Sequence, residues 1–278
     1  MDKKKLKHKD ANDMTFLEHL EVLRGHLMRS IASIGICAIV VFCFKNIIVD
    51  QILLAPKSVN FWTNRMLCEF GHWVHTDKLC FSDLPLQLIN IDMSGQFRMH
   101  VSIALYGGMI LAAPYVLWEL YRFILPALKA KERKYSNGMV FYTSILFILG
   151  VLFGYFMIVP LTINFLGTYS VSTEVLNQIN FKSYISTITS LIFATGLVFE
   201  MPILVYFLSK VGLVTPAFMK KYRKHALIII LIVAGIITPP DIFSQIMVTL
   251  PMYALYEISI LVSAKIQRQR DAEGLEEE

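Results

Sequence analysis

The chain has 278 residues, 55% of them hydrophobic and only 17% charged, with a mean hydropathy of +0.56 and a net charge of +5. Soluble domains carry about 25% charged residues, so this composition excludes a soluble globular protein and defines an all-α polytopic membrane protein with no large soluble domain. The positive charge reports topology and calls for no nucleic-acid partner: seven Lys/Arg fall in residues 1–29, five in 119–138, five in 209–225 and three in 265–278, which puts 20 of the 26 on one side of the apolar segments.

Residues 1–26 form a basic, hydrated segment leading into an amphipathic helix. The first apolar run lies too far in for a secretory leader and lacks a small-residue cleavage site. Apolar windows then predict a membrane domain over 27–264, with spans at 27–47, 99–118, 139–161, 184–209, 226–238 and 242–264. Six spans place both termini on one side, and the basic bias makes that side the cytoplasm. An acidic tail, 265–278, should be a solvated, disordered end.

Span one carries Cys37 and Cys43 on different faces, where they read as small apolar residues. The first extracytoplasmic loop, about 48–97, contains Trp62 and Trp73, which suit an interfacial cap. It also contains Cys68 and Cys80, flanking His72 and His75. A disulfide suits the oxidising compartment; two free thiols and a zinc site remain open alternatives. Gly150 and Gly154 in span three form a small-xxx-small pair that allows close helix packing.

Span four holds the most informative residue. Glu200 is a lone carboxylate in the apolar run Leu191–Leu208, and an ionised group there costs about 2.5–3.5 kcal/mol on insertion scales. Such a residue is a functional site by default, with Thr195, Thr238, Ser244 and Gln245 as candidate neighbours. Span five has only 12 continuous apolar residues, Ala226–Ile237, roughly 18 Å of helix against a hydrocarbon core of about 30 Å. Thr238-Pro239-Pro240-Asp241 turns the chain at once. Span six carries Ser244, Gln245, Thr249, Pro251 and Glu257, so the hairpin should thin the bilayer locally.

Four segments in this order resemble the TatC family of twin-arginine protein translocase subunits. They are Phe16–Leu27 (FLEHLEVLRGHL), Ala113–Lys134 (APYVLWELYRFILPALKAKERK), Phe199-Glu200-Met201-Pro202, and Thr238–Gln245 (TPPDIFSQ) with Pro251-Met252-Tyr253 and Glu257-Ile258. The resemblance covers roughly residues 14–264 and implies six transmembrane helices in a concave bundle. It implies a receptor and core subunit of the bacterial inner membrane that binds twin-arginine signal peptides. It also implies assembly with single-span TatA/TatB-type subunits, homo-oligomers within a receptor complex, and export of folded proteins driven by the proton motive force. No cofactor, metal or enzymatic activity is expected.

On these positions the resemblance places signal-peptide binding at Glu18, Leu20, Glu21, Leu23, Arg24, Phe123, Pro126 and Glu132. Guanidinium forks prefer bidentate carboxylates, and Glu132 lies among Lys131, Arg133 and Lys134. The N-terminal helix departs from the family pattern, with Val22 where the family has Glu and His26 where it has a second Arg. Glu18, one helical turn before Val22, with Glu21 beside it, is the expected replacement for the missing charge. Glu119 stands where the family has Gln and could add charge to the same site. Glu200, Thr238 and Gln245 are expected to form a polar site for a partner's helix. Glu257 is expected to snorkel or pair. Pro114, Pro202, Pro239, Pro240 and Asp241 are structural.

The rival class is a proton-coupled secondary transporter using Glu200. Such folds show internal repeats and paired broken helices, and no repeat relates spans 1–3 to 4–6. An intramembrane enzyme would carry a motif such as H-E-x-x-H, G-x-S-x-G or a P-loop, and the sequence has none of these.

Overall fold

A computed structural model describes residues 16–58, 60–73, 87–124, 136–172, 178–238 and 242–276. The α-helices are α1 (Phe16–Cys43), α2 (Trp62–Trp73), α3 (Gly95–Ile124), α4 (Ser136–Phe153), α5 (Val159–Thr168), α6 (Phe181–Phe199), α7 (Met201–Val211), α8 (Pro216–Lys221), α9 (Arg223–Ile237) and α10 (Ile242–Glu276). Two compact units divide the chain: residues 1–44 with 100–145, and residues 45–99 with 146–278.

Among the described residues, five helical stretches are long and apolar enough to cross a membrane: Leu20–Cys43, Gly95–Phe123, Gly138–Thr168, Phe181–Val211 and Gln245–Gln269. The predicted fifth span is α9, whose 15 residues make about 22 Å of helix. It is shorter than the other five for the reason visible in its sequence, since the apolar run simply ends at Ile237.

Four features modify or refine the predicted picture. A two-residue parallel ladder, β1 (Leu88–Ile89) with β2 (Ile179–Asn180), interrupts the all-α pattern. Span three is not one regular helix: a π-helical turn, Gly154–Ile158, joins α4 to α5. Span four breaks at Glu200, which ends α6 and starts α7, with Pro202 in the first turn of α7; proline's fixed φ and missing N–H suit a helix start. The acidic tail expected to be disordered continues α10 as helix to Glu276. Pro114 and Pro251 lie inside α3 and α10, which run on through them.

In the first unit α1 and α3 approach closely. A Cβ on Gly108 would lie 2.8 Å from the Ala38 backbone, and Gly107 faces Val41. At the C-terminal end of α1, His100 Nε2 donates to the Phe42 carbonyl at 3.0 Å and the two rings stack.

In the second unit α10 packs against α7 and α9. The buried hydroxyls of Ser209 and Ser263 join α7 to α10 at 2.8 Å, and Tyr256 donates to the Met219 carbonyl at 2.8 Å. Asn180 caps α6 by accepting from the Lys182 N–H, and Thr215 caps α8 by accepting from the Phe218 N–H, which satisfies donors the first helical turn leaves open. A π-helical segment, Ile47–Leu53, and a 3₁₀ turn, Ala55–Lys57, open the loop before α2. Its end carbonyls at Ile52 and Leu53 accept from Tyr155 and Tyr184 at 2.9 and 3.1 Å.

The small-residue pair performs the packing expected of it. A Cβ at Gly150 would meet Phe199 Cβ and the Thr195 carbonyl, both at 2.7 Å, and one at Gly154 would collide with the Thr195 hydroxyl. Gly150→Val is therefore expected to destabilise the protein by about 1–3 kcal/mol through overpacking, read as a lowered thermal midpoint in detergent. An unchanged midpoint would show that α4 and α6 can separate at no cost.

Candidate functional site

A buried ion cluster forms where α1 crosses the C-terminal part of α3. Glu119 is 1% exposed, which makes it one of the most deeply buried large side chains described. Arg29 donates from Nε to Oε1 at 2.9 Å and from Nη2 to Oε2 at 3.1 Å, a bidentate fork on both carboxylate oxygens. Tyr115, one turn earlier on α3, donates its hydroxyl to Oε1 at 2.9 Å. His26 Nδ1 sits against Oε2 and lies 3.0 Å from Arg29 Nη2. Burying a carboxylate is tolerable only with a cation and satisfied lone pairs, and this cluster supplies both. Arg29 is itself 50% exposed, so its outer face remains in contact with the surroundings.

The helix period brings these groups together. Val22, His26 and Arg29 follow one another at i, i+4 and i+7 and so share a face of α1; Tyr115 and Glu119 are i, i+4 on α3. The edge of His26 meets the Phe123 ring at a centroid distance of 6.0 Å. That contact places predicted residue Phe123 beside the α1 segment with Leu20, Glu21, Leu23 and Arg24, all four exposed. Glu18 is helical but its side chain is not described, and Pro126 and Glu132 lie outside the described residues. Nearby, Arg122 lies over the Trp118 ring, 4.6 Å from its centroid.

The residues that sequence reasoning missed here are Arg29 and Tyr115. A signal for the pairing was present in the sequence. The resemblance marks Glu119 and His26 as differing from the expected Gln and Arg, and an acid and a base that change together point to one contact.

Glu200 sits at the α6–α7 break, 8% exposed, and its Oε1 has no hydrogen-bond partner among the described residues. The neighbours expected to satisfy it are engaged locally. Thr195 donates to the Leu191 and Ile192 carbonyls, and Thr238 to the Ala234 carbonyl at 2.8 Å. Gln245 gives its amide to the Leu231 carbonyl at 3.0 Å, tying α10 to α9. Pro239, Pro240 and Asp241 lie outside the described residues, as does the Ser244 side chain. Glu257 is paired: it accepts from Arg223 Nη2 at 2.7 Å and from the Tyr253 hydroxyl at 3.1 Å.

Cys68 is disulfide-bonded, and its expected partner Cys80 lies outside the described residues. Cys37 and Cys43 are free thiols. No group of three His, Cys, Asp or Glu side chains among the described residues is placed to hold a metal ion.

Helices of this length and apolarity define a multi-pass membrane protein. Residues 18–251 match the family model described as Sec-independent protein translocase protein (TatC). The chain belongs to the TatC family, whose members are components of a protein translocase. It is 41% identical to a TatC protein of Blattabacterium sp. subsp. Periplaneta americana over 94% of this chain and 99% of the relative. It is 36% identical to TatC of Helicobacter pylori strain J99 over 89% and 88%. A solved structure titled "Crystal Structure of Twin Arginine Translocase Receptor- TatC" superposes with a TM-score of 0.68 at 29% identity, covering 90% of this chain and 99% of that one.

Proposed function

We propose that this chain is the receptor subunit of a twin-arginine translocase: it binds signal peptides bearing two adjacent arginines and assembles with single-span TatA/TatB-type subunits. The complex then exports folded proteins at the expense of the proton motive force. The observation that carries this reading is the likeness, over nine-tenths of the chain, to a solved structure described as a twin-arginine translocase receptor. Both termini lie in the cytoplasm of a bacterial inner membrane, since the basic residues cluster on that side of the spans.

The arginine site lies at the cytoplasmic ends of α1 and α3, where Leu20, Leu23, Arg24 and Phe123 offer an accessible mixed surface. Glu132, which follows α3 in the sequence, supplies negative charge to it. The partner-helix site is centred on Glu200, whose buried and incompletely satisfied carboxyl favours a polar group brought by another helix. Gln245 and Thr238 complete that site, as the family resemblance implies.

The test is export of a twin-arginine reporter in a strain lacking its own TatC, combined with co-purification of the strain's single-span subunits. Export with co-purification supports the proposal. A complex that neither captures those subunits nor binds a twin-arginine peptide contradicts it.

A further inference from the structure

His26 and Glu119 touch each other and share one site with Arg29 and Tyr115. We infer that this cluster is a guanidinium seat, held at rest by the chain's own Arg29, which an arginine of the incoming signal peptide takes over. The inference rests on the receptor reading above and adds a buried carboxylate on α3 to it.

Three features carry it. The first is geometry. Both oxygens of Glu119 are engaged side-on by Nε and Nη2 of a single planar group, a match that a guanidinium makes and an ammonium does not. Tyr115 holds Oε1 from the α3 side, and His26 lies against Oε2, so the carboxylate stays aimed when its cation changes.

The second is the location of the acid. On the α1 face that carries Val22, His26 and Arg29 the nearest carboxylate in sequence is Glu18, eight residues, about 12 Å of helix, before His26. Glu119 faces that stretch from α3 and puts buried negative charge directly against His26 and Arg29. Glu21, the alternative on α1, is exposed and about 100° around the helix from Val22.

The third is the difference in burial within the pair. Glu119 is 1% exposed, whereas Arg29 is 50% exposed. Arg29 can swing outward at little desolvation cost, but Glu119 cannot remain buried without a cation. Exchange of one guanidinium for another conserves charge and hydrogen bonds, so the seat releases its resident only to a chemically equivalent group. Leu20, Leu23 and Phe123 border the same stretch of α1 and offer apolar contact to the peptide residues that follow the arginines.

The test uses the full chain in lipid nanodiscs and two fluorescent signal peptides, one with Arg-Arg and one with Lys-Lys at the motif. Wild-type preference for Arg-Arg establishes the receptor reading by itself; no preference overturns that reading and the seat with it. Given that preference, Glu119→Gln is expected to weaken Arg-Arg binding about tenfold and to erase discrimination, because it removes charge-assisted hydrogen bonds. Arg29→Gln vacates the seat and is expected to tighten Arg-Arg binding about tenfold, with Lys-Lys binding little changed. Arg29→Lys keeps a cation and serves where Arg29→Gln fails to fold; the displaced group is then a weaker fit, and affinity rises by about threefold. Folded Arg29 variants that bind Arg-Arg as wild type does, or more weakly, overturn the seat, leave the receptor reading intact, and make the cluster a structural clamp between α1 and α3.

Discussion

Arg29→Ala is expected to destabilise the protein by about 2–3 kcal/mol, more than Glu119→Gln, although the two substitutions break the same ion pair. Removing one member of a buried pair typically costs roughly 3–5 kcal/mol, because the other charge stays uncompensated; half-exposure of Arg29 lowers the figure. The asymmetry follows from burial. Without Arg29, the Glu119 carboxylate is left in a site that is 1% exposed, with only Tyr115 and His26 beside it. Without the Glu119 charge, Arg29 turns outward and is solvated, which leaves a cost of about 1–2 kcal/mol from the lost hydrogen bonds. Thermal midpoints in one detergent give the order directly, and an Arg29→Ala/Glu119→Gln double variant closes the cycle with a loss smaller than the sum. A saturating Arg-Arg peptide should recover much of the Arg29→Ala loss, since ligand at 100 times its Kd contributes about 2.7 kcal/mol. Equal destabilisation by both single substitutions would show that Glu119 has a second cation or reaches water when Arg29 is gone.

Substitution of Glu200 should separate stability from function. Its Oε1 is buried without a partner among the described residues, and an unsatisfied buried polar group costs about 1–3 kcal/mol. Glu200→Leu is therefore expected to hold or raise the thermal midpoint while weakening capture of single-span subunits. One interhelical polar contact is worth about 0.6–2 kcal/mol, or roughly 3- to 30-fold in affinity. Glu200→Gln keeps a hydrogen-bonding group and should retain part of the capture. Arg-Arg peptide binding should be unchanged in both variants. A variant with a lowered midpoint and normal capture would show that Glu200 serves the fold of its own span.

Much of the fold was legible because membrane helices announce themselves by length and apolarity. The shortness of α9 was visible in the limits of Ala226–Ile237, and the packing role of Gly150 in its spacing from Gly154. What the sequence concealed was irregular backbone inside apolar runs. Hydropathy is blind to the π-helical turn at Gly154–Ile158 and to the break at Glu200, although Pro202 marks the latter in retrospect. The tail's acidic composition suggested a solvated end, yet α10 continues through it to Glu276, because Glu, Leu, Ala, Gln and Arg are good helix formers whatever their net charge.

Site residues divide in the same way. The candidate residues on α1 came from the family resemblance, and Glu200 from its isolation in an apolar run. The Glu119–Arg29–Tyr115–His26 cluster required knowing which face of α1 meets α3. That depends on the close approach at Gly108 and Ala38, a fact of tertiary packing. Gln245 shows the opposite lesson: a polar residue in an apolar span suggested a binding site, and its amide is committed to the Leu231 carbonyl.

The most direct test of the receptor account is the affinity of the full chain in nanodiscs for matched signal peptides differing only at the paired arginines. The account predicts that Arg-Arg binds at least about tenfold more tightly than Lys-Lys, since bidentate guanidinium recognition is what an ammonium cannot reproduce. Equal affinities, or no binding of either peptide by protein that still melts cooperatively, would contradict it.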